Sequence, residues 1–392
     1  MKKIFTYVFV LILTFSLITT SYAQDNEKVS ESSNESKGLK KAEIKFNLEK
    51  AIDYALENND YMEIQDLNIK KTEVSYDKNI SDVDDFEDAP SYIQNQTPVV
   101  QRKMFKLGIM EKSADLSLNI AKWNKDIKIN EIKYNVEKSY YDLAQAKKGV
   151  DIAKESVELA KEQYEQGKKM YELGTISKQQ LLNIELGLSR AQSGLDAAKM
   201  GLNMQKMNFN NTLGLDLDQE VKLTDEVTYK EYEKIDLKEA ITKALETNKS
   251  LKVAKTNHEI SKLTLEAIKG RYPENTYKYR EQEIEVKKAE KSVETAEKGI
   301  EMGVRSAYIQ LTTAKKQIAT YEKAVEKAER AYELAKLSFE LGKSTTTEVN
   351  QARIDLMNAK KDLSSQIHSY NMALLDFRYS KGIGKTQIGG MR

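Results

Sequence analysis

The sequence predicts an all-α fold in which two copies of one unit form long antiparallel coiled-coil hairpins, and three observations predict it. Apolar residues recur every seven positions over two long segments, only three prolines occur in 392 residues, and most of the chain repeats once. Charged residues make up 31% of the chain, a composition suited to long solvated helices.

At the N-terminus, Lys2 and Lys3 precede a mostly apolar run from Ile4 to Ile18, followed by Ser21-Tyr22-Ala23, a small-x-small cleavage site. Residues 1–23 therefore read as a signal peptide, and the mature chain is expected to begin near Gln24. Nothing beyond this run approaches the roughly 20 consecutive apolar residues a transmembrane helix needs. With no cysteine there is no disulfide framework, thiolate metal site or lipid-modified cysteine. The full chain balances 62 basic against 61 acidic residues; loss of Lys2 and Lys3 leaves a mature net charge of −1, with no electrostatic footprint for nucleic acid. Residues 24–45, rich in Ser, Glu, Asn and Lys, lack apolar residues to bury and read as a disordered leader.

The duplication has two registers. Asn47-Leu48-Glu49-Lys50-Ala51-Ile52 returns as Asp236-Leu237-Lys238-Glu239-Ala240-Ile241, an offset of 189 residues from Ala51 to Ala240. Downstream, Val136 to Gly214 aligns with Val304 to Gly382 at an offset of 168, without a gap. The first copy (46–234) thus carries 21 residues more than the second (235–384) between its opening and long helices, and they are expected around Ser81 to Lys106. Residues 385–392 form a tail.

In the first copy the seven-residue period runs through Val136, Leu143, Val150, Val157, Tyr164 and Tyr171, each followed three residues later by a small residue, among them Ala146, Ala160 and Gly167. This is a heptad seam with one bulky and one small side. The second copy repeats it from Val304 to Phe339, and the returning segments keep the period as Leu181 to Phe209 and Val349 to Phe377. A rising helix from about Met104 to Leu173 would be roughly 100 Å long.

Between rising and returning segments lie Leu173-Gly174-Thr175-Ile176-Ser177 and Leu341-Gly342-Lys343-Ser344-Thr345. Gly can close the first helix in the left-handed conformation, and Ser or Thr can cap the next. Pro90, Pro98 and Pro273 fall between opening and rising helices, so residues 81–106 and 270–280 are expected to be non-helical joints.

No nucleophile and base pair, phosphate-cradling loop or metal spacing appears, so the sequence predicts no enzyme, cofactor or metal site. His258 and His368 stand 110 residues apart without a motif, and Trp123 reads as packing.

The opening N-L-E-K-A-I-x-x-A-L-x-x-N, the Y-x-x-G-x-x-x-Y-x-L-G-T-I-S turn and the duplication with a second, similar turn resemble the outer-membrane efflux (TolC-type) family. The resemblance covers nearly all of Phe46 to Gly384. It implies a homotrimer enclosing a hollow helical barrel in the cell envelope, a conduit of an efflux or type I secretion-like system. Its turns would meet a periplasmic adaptor (membrane fusion) protein that links it to an inner-membrane exporter. Carried onto this chain, the adaptor-docking tips are Leu173, Gly174, Thr175 and Ser177, with Leu341, Gly342, Ser344 and Thr345.

Near the tips, Glu185, Glu348 and Asp355 are candidate pore-lining carboxylates. Family members place a strand pair in each joint to build an outer-membrane barrel. Here residues 270–280 are too few for a spanning pair, and the acidic Asp82 to Asp88 lacks lipid-facing alternation, so the barrel is expected to be reduced or absent. The alternative is a secreted coiled-coil rod of the envelope without a channel. A second apolar face, hinted at by Ile152, Leu159 and Leu186, would favour closure into a ring, and a polar face would favour the rod.

Overall fold

The computed structural model describes residues 42–229, 232 and 235–383. The signal peptide, the leader up to residue 41 and the tail lie outside the described residues.

Each copy opens with a short capped helix. In the first, strand β1 (Ile44–Phe46) leads into α1 (Leu48–Glu57), where the Asn47 side chain accepts from the Lys50 N–H at 2.8 Å. In the second, Asp236 caps α7 (Leu237–Thr247), accepting from the Lys238 and Glu239 N–H groups. Such caps satisfy N–H groups that have no partner within the first turn of a helix. Helices α2 (Asp60–Asp88) and α8 (Lys249–Lys269) follow at equivalent places.

The rising helices α5 (Ile109–Glu172) and α9 (Tyr277–Glu340) each hold 64 residues, which at 1.5 Å per residue is roughly 96 Å. Their bounds differ by the same 168 residues as the sequence register. The returning helices are α6 (Lys178–Leu213) and α10 (Thr346–Ser380). Helix α5 packs against α6 and α10, and α10 against α9, so the lateral order is α6, α5, α10, α9. Helix α2 lies on α5, and α8 on α9.

The heptad residues build the core. Val136, Tyr140 and Leu143 of α5 pack with Ala51 and Ala55 of α1 and Phe209 and Leu213 of α6. Val304, Ala307, Leu311 and Ile318 of α9 pack with Ala240 and Ala244 of α7 and Tyr370 and Phe377 of α10. Close approach of helix axes is visible at Gly167, where an added Cβ would lie 2.4 Å from Ile184 Cδ1. Tyr171, read as part of the seam, is instead exposed, because the hairpin ends beside it.

Three expectations are corrected. First, the joint at residues 81–106 is largely helical: α2 continues to Asp88, and α3 (Ser91–Gln96) and α4 (Val99–Lys106) follow, whereas residues 270–276 are non-helical as expected and α9 begins at Tyr277. Pro90 and Pro98 precede the first residues of α3 and α4, where a missing N–H costs nothing, so they start helices as well as ending them. Stacking of Phe86 on Phe105, with centroids 4.4 Å apart, ties the end of α2 to α4. The long helix starts at Ile109 because Gly108 sits at φ 65° and separates it from α4.

Second, the leader ends earlier than residue 45. Ile44 to Phe46 pair in parallel with β2 (Val221–Leu223), Ile44 opposite Val221 and Phe46 opposite Leu223. Phe46 enters the core edge-on to Tyr54 and Phe209. Third, Ile152 and Leu159 do not form a free second face; they pack into the cluster that joins the two hairpins, while Leu186 remains exposed.

Two three-residue strands are the whole β content among the described residues, and no described helix is long and apolar enough to cross a membrane.

Candidate functional site

Both hairpin turns close with one hydrogen-bond pattern. Gly174 and Gly342 take φ of 73° and 70°. The Thr175 N–H donates to the Met170 carbonyl at 2.8 Å and the Gly174 N–H to that of Tyr171 at 2.9 Å. In the second turn the Lys343 N–H reaches Ser338 at 2.8 Å and the Gly342 N–H reaches Phe339 at 2.9 Å. This double closure uses carbonyls that the helix end leaves open. Ser177 with Gln180, and Thr345 with Glu348, then form reciprocal capping boxes that start α6 and α10.

The turns present apolar side chains outward. Leu173 is 78% and Leu341 62% exposed. A Cβ added at either Gly174 or Gly342 would meet nothing within 4 Å, so the glycine faces are open. Of the sequence-predicted tip residues, Gly174, Thr175, Ser177, Gly342 and Thr345 are also exposed, and Ser344 is half-buried. Behind the tips, Ile176, Leu181 and Ile184 of the first hairpin pack in one cluster with Tyr332, Phe339 and Val349 of the second. The two turns therefore sit together at one end.

The three carboxylates are exposed but differently engaged. Glu348 accepts from the Ser344 hydroxyl at 2.6 Å and the Thr345 N–H at 2.7 Å, and these bonds hold its pKa below the ordinary value. It is part of the cap. Asp355 lies seven residues further along α10 and accepts from Gln351 at 2.8 Å. Glu185 stands on α6, in the other hairpin.

Sequence reasoning missed the polar seam between α5 and α10. The buried Glu137 carboxylate accepts from Arg378 at 2.8 Å and from the Tyr379 hydroxyl at 2.9 Å. Tyr134 donates to Asp376 at 2.9 Å, His368 meets Asp142 at 3.1 Å, and Lys360 meets Glu155 at 2.7 Å. Burial works against the Arg378 charge, but Glu137 more than offsets it and the pKa is raised. For Asp142, burial would raise the pKa, yet the bonds from His368 and Lys138 outweigh it and lower it.

Nearer the tips, Arg353 is 2% exposed and donates to Ser156 Oγ at 2.7 Å and Asn350 Oδ1 at 2.9 Å. Burial pushes its pKa down. In the sequence Glu137, Asp142 and Glu155 share no seven-residue spacing and read as solvated face.

A long two-hairpin sheet of helices with adjacent turns matches known proteins in two ways. Residues 274–376, most of the second α9–α10 hairpin, match the model of the outer membrane efflux protein family. The structure matches the Campylobacter jejuni CmeC outer membrane channel with a TM-score of 0.66 at 13% identity, covering 87% of each chain. This is the outer membrane efflux protein fold. The outer membrane protein VceC of Vibrio cholerae matches with a TM-score of 0.67 at 12% identity, covering 86% of this chain and 97% of VceC. No curated protein matches the chain in sequence. The efflux-protein resemblance seen in the two turns and the duplication is thus borne out by the fold and by the second hairpin's sequence. Among the described residues the chain is mostly helical and has two three-residue strands.

Proposed function

We propose that three copies of the mature chain close into a hollow helical conduit of the cell envelope, serving an efflux or type I secretion-like exporter. The observation that carries this reading is the lateral order α6, α5, α10, α9, which leaves two outer helices with uncovered apolar side chains. Helix α6 exposes Leu182, Leu186 and Met200, and α9 exposes Met302, Ile309 and Leu334. Two unlike edges that are both sticky join head to tail, and such contacts form rings when the rotation closes. A free-standing rod would carry polar edges. Four helices from each copy then wall the conduit.

At the tip end, Leu173 and Leu341 with the open faces of Gly174 and Gly342 form the docking surface for an adaptor of an inner-membrane pump. Glu185 and Asp355 are the carboxylates that face the lumen, whereas the Glu348 carboxylate is held by its cap. The pump supplies the energy, and the conduit itself catalyses nothing. Light scattering coupled to size exclusion on the mature chain, with and without mild detergent, tests the reading: three times the chain mass in both is expected, and a monomer would overturn it.

A further inference from the structure

If the chain closes into a ring, its duplication predicts where neighbouring copies touch. Helix α9 is the repeat equivalent of α5 and α6 that of α10, at one offset of 168 residues. The α5/α10 seam inside one chain is therefore a template for an α9/α6 seam between two. We propose that α9 of one copy docks on α6 of the next in the register of the internal seam, and that this second seam is lined by thioethers in place of ion pairs. The proposal rests on the ring reading and adds the register and chemistry of the contact.

The exposed apolar residues fall where this template puts contacts. Tyr134 and Tyr141 are half-buried, but their equivalents Met302 and Ile309 are 70% and 62% exposed. On the other side, His368, Met372 and Leu375 are half-buried or buried, while their equivalents Met200, Met204 and Met207 are exposed. Each surface is covered in one seam and bare in the other until a second copy arrives. A shallow depression of about 390 Å³, lined by Met302, Arg305, Ser306 and Ile309, is ready for the facing methionines. Met side chains are flexible and polarizable and fill such irregular gaps well.

The ionic ladder does not carry over. The pair Glu137 and Arg378 becomes Arg305 and Asn210, the latter buried in its own chain and donating to the Leu217 and Gln219 carbonyls; Asp142 and His368 becomes Gln310 and Met200, and Glu155 and Lys360 becomes Lys323 and Gln192. No opposed charges remain in these three equivalents, so closure is driven by apolar burial and depends little on salt.

The absence of native cysteine makes the register directly testable. Because Asp142 and His368 are in contact, the Asp142→Cys, His368→Cys double variant should close within one chain and serve as the template control. The Gln310→Cys, Met200→Cys double variant should instead link neighbours into a covalent trimer on mild oxidation. Disulfides need Cα atoms within about 7 Å, whereas Gln310→Cys with Glu185→Cys is displaced by 15 residues, roughly 22 Å along a helix, and should stay reduced.

A chain of trimeric native mass that links only in the displaced pair, or in neither, overturns the seam and leaves the ring. A monomer by light scattering overturns the ring and the seam with it. Met204→Glu, on a side chain exposed in the single copy, should weaken assembly at least ~100-fold by burying a charge while helix content stays unchanged. An unaltered trimer would also contradict the proposal.

Discussion

Replacing Arg378 by methionine tests the seam that holds the two hairpins together. The Glu137 carboxylate is 4% exposed, and without Arg378 it keeps only the Tyr379 hydroxyl at 2.9 Å. Breaking a buried ion pair from one side costs about 3–5 kcal/mol because a charge is left uncompensated. The Arg378 side chain is 43% exposed, so water reaches its side of the pair and lowers the expected loss to about 2–3 kcal/mol. Urea unfolding followed by circular dichroism at pH 7 measures it. Adding Glu137→Gln removes the stranded charge and leaves the side-chain carbonyl to accept from Tyr379, so the double variant should recover most of the loss. A single variant that loses less than about 0.5 kcal/mol, or whose loss is unchanged by Glu137→Gln, would refute the argument.

Further outcomes follow from the same structure. Arg353 is buried with hydrogen bonds but no adjacent carboxylate partner in its contacts, so Arg353→Met should be neutral or stabilising by about 1 kcal/mol in the same urea assay; a loss above that would mean its bonds to Ser156 and Asn350 outweigh the desolvation. Gly342→Val puts a β-branched residue at φ 70°, costing at least about 1–2 kcal/mol of turn strain, and should reduce pull-down by the cognate adaptor while the helices stay folded; undiminished capture would count against the docking role. Burial raises the Tyr140 pKa from its ordinary value to about 12. Its contribution is complete below pH 10 and disappears as the pH rises toward 12, so Tyr140→Phe should flatten the alkaline loss of stability seen in thermal melts.

The helical frame was readable because the seven-residue period holds from Val136 to Tyr171 and the chain states it again from Val304 to Phe339. The turns were readable for a local reason: Gly, then Ser or Thr, specifies closure and capping within five residues. By contrast, β1 and β2 hold three residues each and lie about 175 residues apart, too short for alternation to register. The joint at residues 81–106 was misread because proline marks a break without saying whether a helix begins beside it, and at Pro90 and Pro98 one does. The α5/α10 seam was hidden in plain composition. On a chain with 31% charged residues, Glu137, Asp142 and Glu155 look like any solvated face until Arg378, His368 and Lys360 are brought opposite. Of the candidate carboxylates, Glu348 occupies the third helical position after Thr345, the place a capping box requires, and that spacing was present in the sequence.

The measurement that bears most directly on the conduit is an end-on electron-microscopic projection of the purified mature chain. A threefold ring of twelve helices around an open centre is the predicted image. A filled bundle, or single two-hairpin particles without symmetry, would contradict it.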